Sequence, residues 1–199
     1  RLIRFANGVR LTLKQTTLRE DRVAVAVAID GGDLLNTGQN PLATSMVSSL
    51  ASGGLGRHSR DELSSVLAGR SVSIGLSSGP DAFTFSATTT PRDLDLQLRV
   101  IAALITDPGN RREGEEQYRR SIANFFATRD ATPGRALTSA LGGILSDGDP
   151  RFTLQSQRAF EALNFARLKR DIGERLEQGA IEIALVGDIV ERDAIAAVA

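Results

Sequence analysis

The residue types available for chemistry are few. The 199-residue chain holds one histidine, His58, and no cysteine. Disulfides, thiolate zinc sites and cysteine nucleophiles are therefore excluded. A serine triad needs a histidine base, and zinc hydrolase centres generally take two imidazoles, or one imidazole with carboxylates, so a lone histidine rarely builds either. His58, between Arg57 and Arg60, reads as a solvated side chain near a helix start. Glu113, Glu115 and Glu116 could mimic an acidic metal site, but they open a helix, where their charge opposes the positive end of the dipole. Asp147 and Asp149 resemble the start of a calcium loop, yet the Asp-x-Asp-x-Asp-Gly spacing and the closing Glu are missing, which leaves a turn. Gly53-Gly54-Leu55-Gly56 lacks both the Gly-x-Gly-x-x-Gly and the Gly-Lys-Ser/Thr patterns of phosphate loops, so it reads as a connector. Gly187-Asp188 reads as a strand-end turn and helix cap rather than part of a nucleotide fold.

The elements that must position these residues follow from periodicity. Pro41 to Gly56 reads as one amphipathic helix breaking into the glycine loop, with Leu42, Ala43, Met46, Val47 and Leu50 as its apolar stripe. Before it, Asn7-Gly8 sits between two β-prone runs and marks a hairpin. Arg22 to Asp30 alternates Val23, Val25, Val27 and Ile29 with Ala24, Ala26 and Ala28, the pattern of a central strand closely covered on its small face. Ser59-x-x-Glu62 is a capping box for a helix that ends at Gly69.

A second hairpin is expected from Val72-Ile74-Leu76 and Phe83-Phe85-Ala87 around Gly79-Pro80-Asp81. Thr90-Pro91 starts a helix that ends at Asp107-Pro108-Gly109. Helices over Glu113–Arg129, Pro133–Leu145 and Phe160–Glu177 follow, with a dense turn signal at Ser146 to Pro150. A last strand holds Ile181, Ile183 and Leu185, and a final helix closes the chain. Hairpins outnumber βαβ crossovers. The fold class is therefore α+β, a mainly antiparallel sheet with helices packed on one side.

With 41% hydrophobic residues the chain can bury a full core. Basic and acidic residues balance at 24 each, and no basic stretch is dense enough for a nucleic-acid or anionic-lipid surface. No run is long and apolar enough to span a bilayer. The opening at Arg1, on the approach to a strand, and the end within an apolar helical pattern suggest a fragment of a longer protein.

Four strings in order carry a family resemblance: FANGVRLTLKQT, AIDGGDLLNTGQNPLATSMVSSLASGGLGRHSRDELSSVLAG, PRDLDLQLRVIAALITDPG and IEIALVGDI. Together they resemble a domain of the pitrilysin and insulinase peptidases, whose active members bind zinc through an inverted His-x-x-Glu-His motif on the first helix. The match covers nearly the whole chain as one domain, residues 1–199. It looks most like the start of the carboxy-terminal half of a long bacterial member. The resemblance implies the fold shared by mitochondrial processing peptidase and pitrilysin. Leu42-Ala43 aligns with the family's Leu-Ala, so Thr44 and Ser48 fall at the two histidines and Val47 at the glutamate.

A hydroxyl is a weak zinc ligand and valine cannot accept a proton, so these are degenerate positions: no catalytic, cofactor-binding or metal residue is expected here. The resemblance implies a non-catalytic, zinc-free half of a peptide-enclosing chamber. Its partners are the zinc-bearing catalytic half, in the same or another chain, and a peptide substrate, and its location is periplasmic. The alternative from a different class is a non-proteolytic scaffold module of a larger complex. A site of the chain's own would require carboxylates gathered in a pocket that spacing does not reveal.

Overall fold

The structure is a computed structural model and describes residues 1–199. Alternation of large apolar residues builds one sheet of six strands, in the order β1-β2-β6-β3-β5-β4. β1 (Leu2–Arg4) and β2 (Arg10–Gln15) form the hairpin expected at Asn7-Gly8, with Arg4 opposite Arg10. β3 (Val23–Asp30) is central, antiparallel to both β5 (Ala82–Thr89) and β6 (Ile181–Gly187). β6 is parallel to β2, and β4 (Ser77–Ser78) forms the far edge. In this register Val27 lies opposite Phe85 on one side and Ile183 on the other. Leu11, Val25, Ile29, Phe83 and Leu185 join the same face, the floor of a core cluster of 28 buried residues.

That floor is covered by helices. α1 (Arg60–Val66) begins at the expected capping box: Ser59 accepts from the Glu62 amide and Glu62 from the Ser59 amide. α2 (Leu94–Thr106) buries Leu94, Leu98, Ile101 and Leu104 and rests on β5. α3 (Arg112–Thr128), α4 (Pro133–Leu145) and α5 (Gln157–Glu161) follow. α6 (Phe165–Gln178) packs on β3, and α7 (Glu191–Val198) on β2. The fold is α+β with a mainly antiparallel sheet and helices on one side. No helix is long and apolar enough to cross a membrane.

Five local expectations are corrected. Pro41 to Gly56 is not an α-helix: residues 41–46 are turns and Val47–Gly53 is a 3-10 helix. Thr44 bonds the preceding loop through Asp33 and Asn36, and such side-chain bonds compete with helical winding. The strand expected at Val72 to Leu76 does not form; only Ser77–Ser78, just beyond it, pairs with β5. Buried Asp93 takes the Ser71 amide at 2.8 Å, and buried Gln97 takes the Ser73 amide at 2.8 Å and gives to its carbonyl at 2.9 Å, so the ladder partners are spent.

The Phe160–Glu177 helix is two helices, because Asn164 adopts an extended conformation and caps α6 through the Arg167 amide at 2.8 Å. The alanine face of β3 is bare, with Ala24 and Ala26 exposed and flanked by Thr84, Ser86 and Thr88. Asp188 caps no helix; it accepts from the Asp21 amide at 3.0 Å, and α7 starts at Glu191 with Val190 at its cap position and no side-chain cap.

Candidate functional site

The winding of residues 42–53 decides what the segment can do. Its amides bond three residues back: Ser45 to Leu42 at 3.2 Å, Val47 to Thr44 at 3.0 Å and Ser49 to Met46 at 2.9 Å. Three residues per turn put positions 44 and 47 on one face and turn position 48 away by about 120°. In an α-helix, positions 44 and 48 would lie about 40° apart. Accordingly Thr44 and Val47 are buried, with Val47 at 1% exposure in the core, and Ser48 is exposed.

Thr44 is committed to a hydrogen-bond cluster. Its hydroxyl donates to Asp33 Oδ1 at 2.8 Å and accepts from Asn36 Nδ2 at 3.1 Å. Ser78, at the sheet edge, donates to the same Asp33 oxygen at 2.6 Å. Two hydroxyls and a hydrocarbon on divergent faces do not fit the zinc that the resemblance implies for active domains. No group of three or more His, Cys, Asp or Glu side chains able to hold a metal comes together.

Of the α3 glutamates, Glu113 is exposed and the other two are engaged elsewhere. Glu115 accepts from the Phe165 amide at 3.0 Å and from Arg119 at 3.2 Å, so it ties the start of α6 to α3. Glu116 pairs with Arg112 at 3.0 Å. Beside Thr44 and Ser48 the residue that α3 contributes to the cleft is Phe125. The glycine loop presents oxygens rather than amides: Arg111 donates to the Gly53 carbonyl at 3.1 Å and the Gly56 carbonyl at 2.9 Å. It is a connector, as expected. His58 is exposed, as expected, and its backbone pairs with Leu55.

Asp149 lies in the expected turn and holds Arg151, whose guanidinium keeps the carboxyl below its ordinary range. Asp147 stands exposed beside it. A cleft of about 600 Å³ runs between residues 41–48, the Ser77–Ser78 edge and an arm made of α3, α4 and residues 150–154. It was not visible in the sequence, because it depends on how far the arm stands off the body. α4 buries none of its residues, and Leu137, Leu141, Ile144 and Leu145 remain exposed on it.

No known protein-family model matches the chain, and no curated protein matches it in sequence. Solved structures do match in fold. The periplasmic protease PqqL from Escherichia coli superposes with a TM-score of 0.80 at 16% identity, over 99% of this chain and 22% of that one. The ferredoxin protease FusC, in complex with Arabidopsis ferredoxin, gives 0.79 at 18% identity, over 99% and 22%. A peptidase M16 inactive domain from Pseudomonas fluorescens gives 0.76 at 16% identity, over 99% and 48%. The chain therefore has the fold of the M16, pitrilysin-like peptidase domains and spans half or less of these neighbours.

Proposed function

We propose that this chain is a non-catalytic domain from a bacterial pitrilysin-type zinc peptidase, standing at the start of its carboxy-terminal half. Residues 1–199 form one such domain, and it serves as the inactive wall of a chamber that encloses peptide. The observation that carries this reading is the segment Thr44 to Ser48, where the positions of the inverted motif hold a bonded hydroxyl, a core valine and an exposed serine. The bare sheet face supports it: beside Val186 and the Arg10–Glu182 pair, Ala24, Ala26, Thr84, Ser86 and Thr88 leave a strip of small side chains open to a passing chain.

On this reading the domain takes no cofactor, zinc belongs to the catalytic half, and the partners are that half and a peptide or protein substrate. FusC was captured in complex with ferredoxin, which favours a peptide or protein substrate, and PqqL is periplasmic, which favours the periplasm here as well. The test is cleavage of a quenched fluorescent peptide by the whole protein and by this chain alone. Activity in the whole protein, absent from the isolated chain and abolished by a lesion in the other half, is expected. Hydrolysis by the chain alone contradicts the proposal. The bare apolar face of α4 favours a second reading, a scaffold module without proteolysis. A whole protein that cleaves nothing yet holds a stable complex through α4 supports that one.

A further inference from the structure

The cleft beside the motif segment is lined by both charge and aromatic surface. Asp33 is held in place through Oδ1, which accepts from Thr44 at 2.8 Å, Ser78 at 2.6 Å and Asn36 Nδ2 at 3.5 Å, while Oδ2 takes no hydrogen bond and the carboxylate has no cation partner. The other charged residue of the lining, Arg151, is spent on Asp149, with Nε at 3.1 Å from Oδ1 and Nη2 at 2.6 Å from Oδ2. The cleft therefore carries one uncompensated negative charge. In the same lining Phe125 and Phe152 stand 41% and 60% exposed, with the Arg151 guanidinium 5.4 Å over the Phe152 ring. An oriented carboxylate with a free oxygen and two partly exposed rings, lining one ligand-sized cavity, match a cation joined to an apolar group.

We propose that this cleft docks an extended peptide segment in which arginine or lysine lies beside an aromatic or large aliphatic residue. The cation sits on Asp33 Oδ2 and the apolar side chain against Phe125 and Phe152. The proposal rests on the chamber-wall reading and gives that wall a sequence preference.

The test uses the whole protein with EDTA present to stop cleavage, and fluorescein-labelled Ala-Ala-Arg-Phe-Ala-Ala as probe, followed by anisotropy. Asp33→Asn keeps an oxygen for Thr44 and Ser78 but removes the charge, and should weaken the probe about tenfold, the size of one charge-assisted hydrogen bond. A second probe with Gln in place of Arg should be weaker on the unaltered protein and insensitive to Asp33→Asn. Phe152→Ala, at an exposed position that cannot cost the fold much, should weaken both probes. Equal binding of the Arg and Gln probes, or an Asp33→Asn protein that binds as before, overturns the proposal. Absence of binding by either probe also overturns it, yet leaves the inactive-half reading intact, since that reading falls only to catalysis by this chain.

Discussion

Restoring the motif chemically should not restore a metal site. Consider the triple variant Thr44→His, Val47→Glu, Ser48→His. Val47 is 1% exposed, so its replacement forfeits about 1.5–3 kcal/mol of apolar burial. An ionised carboxylate in its place adds several kcal/mol of desolvation cost, roughly 5 kcal/mol or more in all. That is a large part of the ~5–15 kcal/mol that holds a domain together. At ~2–4 °C per kcal/mol for a chain of this size, the melting temperature should fall by about 10 °C or more.

The loss should shrink as pH falls, because the buried carboxyl escapes by protonating. Ser48→His alone is exposed and should shift stability by under ~0.5 kcal/mol. Calorimetric melts of the three single variants and the triple, followed by zinc titration of each, read all of this. A triple variant that melts like the parent and takes up one zinc tightly would refute the reasoning, since it would require positions 44 and 48 to share a face.

Further outcomes follow from the packing and the titrating groups. Gly114→Ala should gain about 1 kcal/mol of helix propensity, but its Cβ would meet the Gly53 amide nitrogen at 2.7 Å, and backbone cannot yield cheaply. A net loss of about 1–2 kcal/mol in urea unfolding is expected, and a stabilised variant would contradict the close approach. Tyr118 is the one tyrosine; its hydroxyl is buried without a partner, and burial pushes its pKa up to about 12. Tyrosinate absorbance should therefore appear only near that pH, stability should be full below the ordinary value near ~10 and decline as pH rises between the two, and Tyr118→Phe should abolish that decline.

Ser59→Ala removes a capping-box acceptor and should cost about 1 kcal/mol, seen as a lower melting temperature with α1 exchanging faster. The Ser71 amide, then Arg70 and Arg92, hold the Asp93 carboxyl below its ordinary range. The stability it adds is present at neutral pH and lost as pH falls through its lowered pKa. Asp93→Asn should flatten that acid limb of the urea midpoint.

Local signals were legible in the sequence wherever neighbours in the chain sufficed to set them. Asn7-Gly8, the Ser59–Glu62 box and the valine alternation of Arg22 to Asp30 each encode an element within a few residues, and each appears in place. The segment from Pro41 failed because its winding is set from outside. An apolar stripe at helical spacing cannot register that Thr44 will bond Asp33, or that α3 will press Gly114 against Gly53. Val72 to Leu76 failed likewise, since its backbone partners are Asp93 and Gln97 on a later element.

The candidate site was half legible. The absence of ligand chemistry at Thr44, Val47 and Ser48 follows from residue type, whereas the cleft with Asp33 and Phe125 depends on an arm whose distance from the body no local pattern carries.

A zinc titration of the unaltered chain against a chelating indicator probes the silence of this domain most directly. Zinc should stay with the indicator throughout, or bind only weakly and without fixed stoichiometry. One equivalent captured tightly, and lost on replacing residues of the Thr44–Ser48 segment, would contradict it.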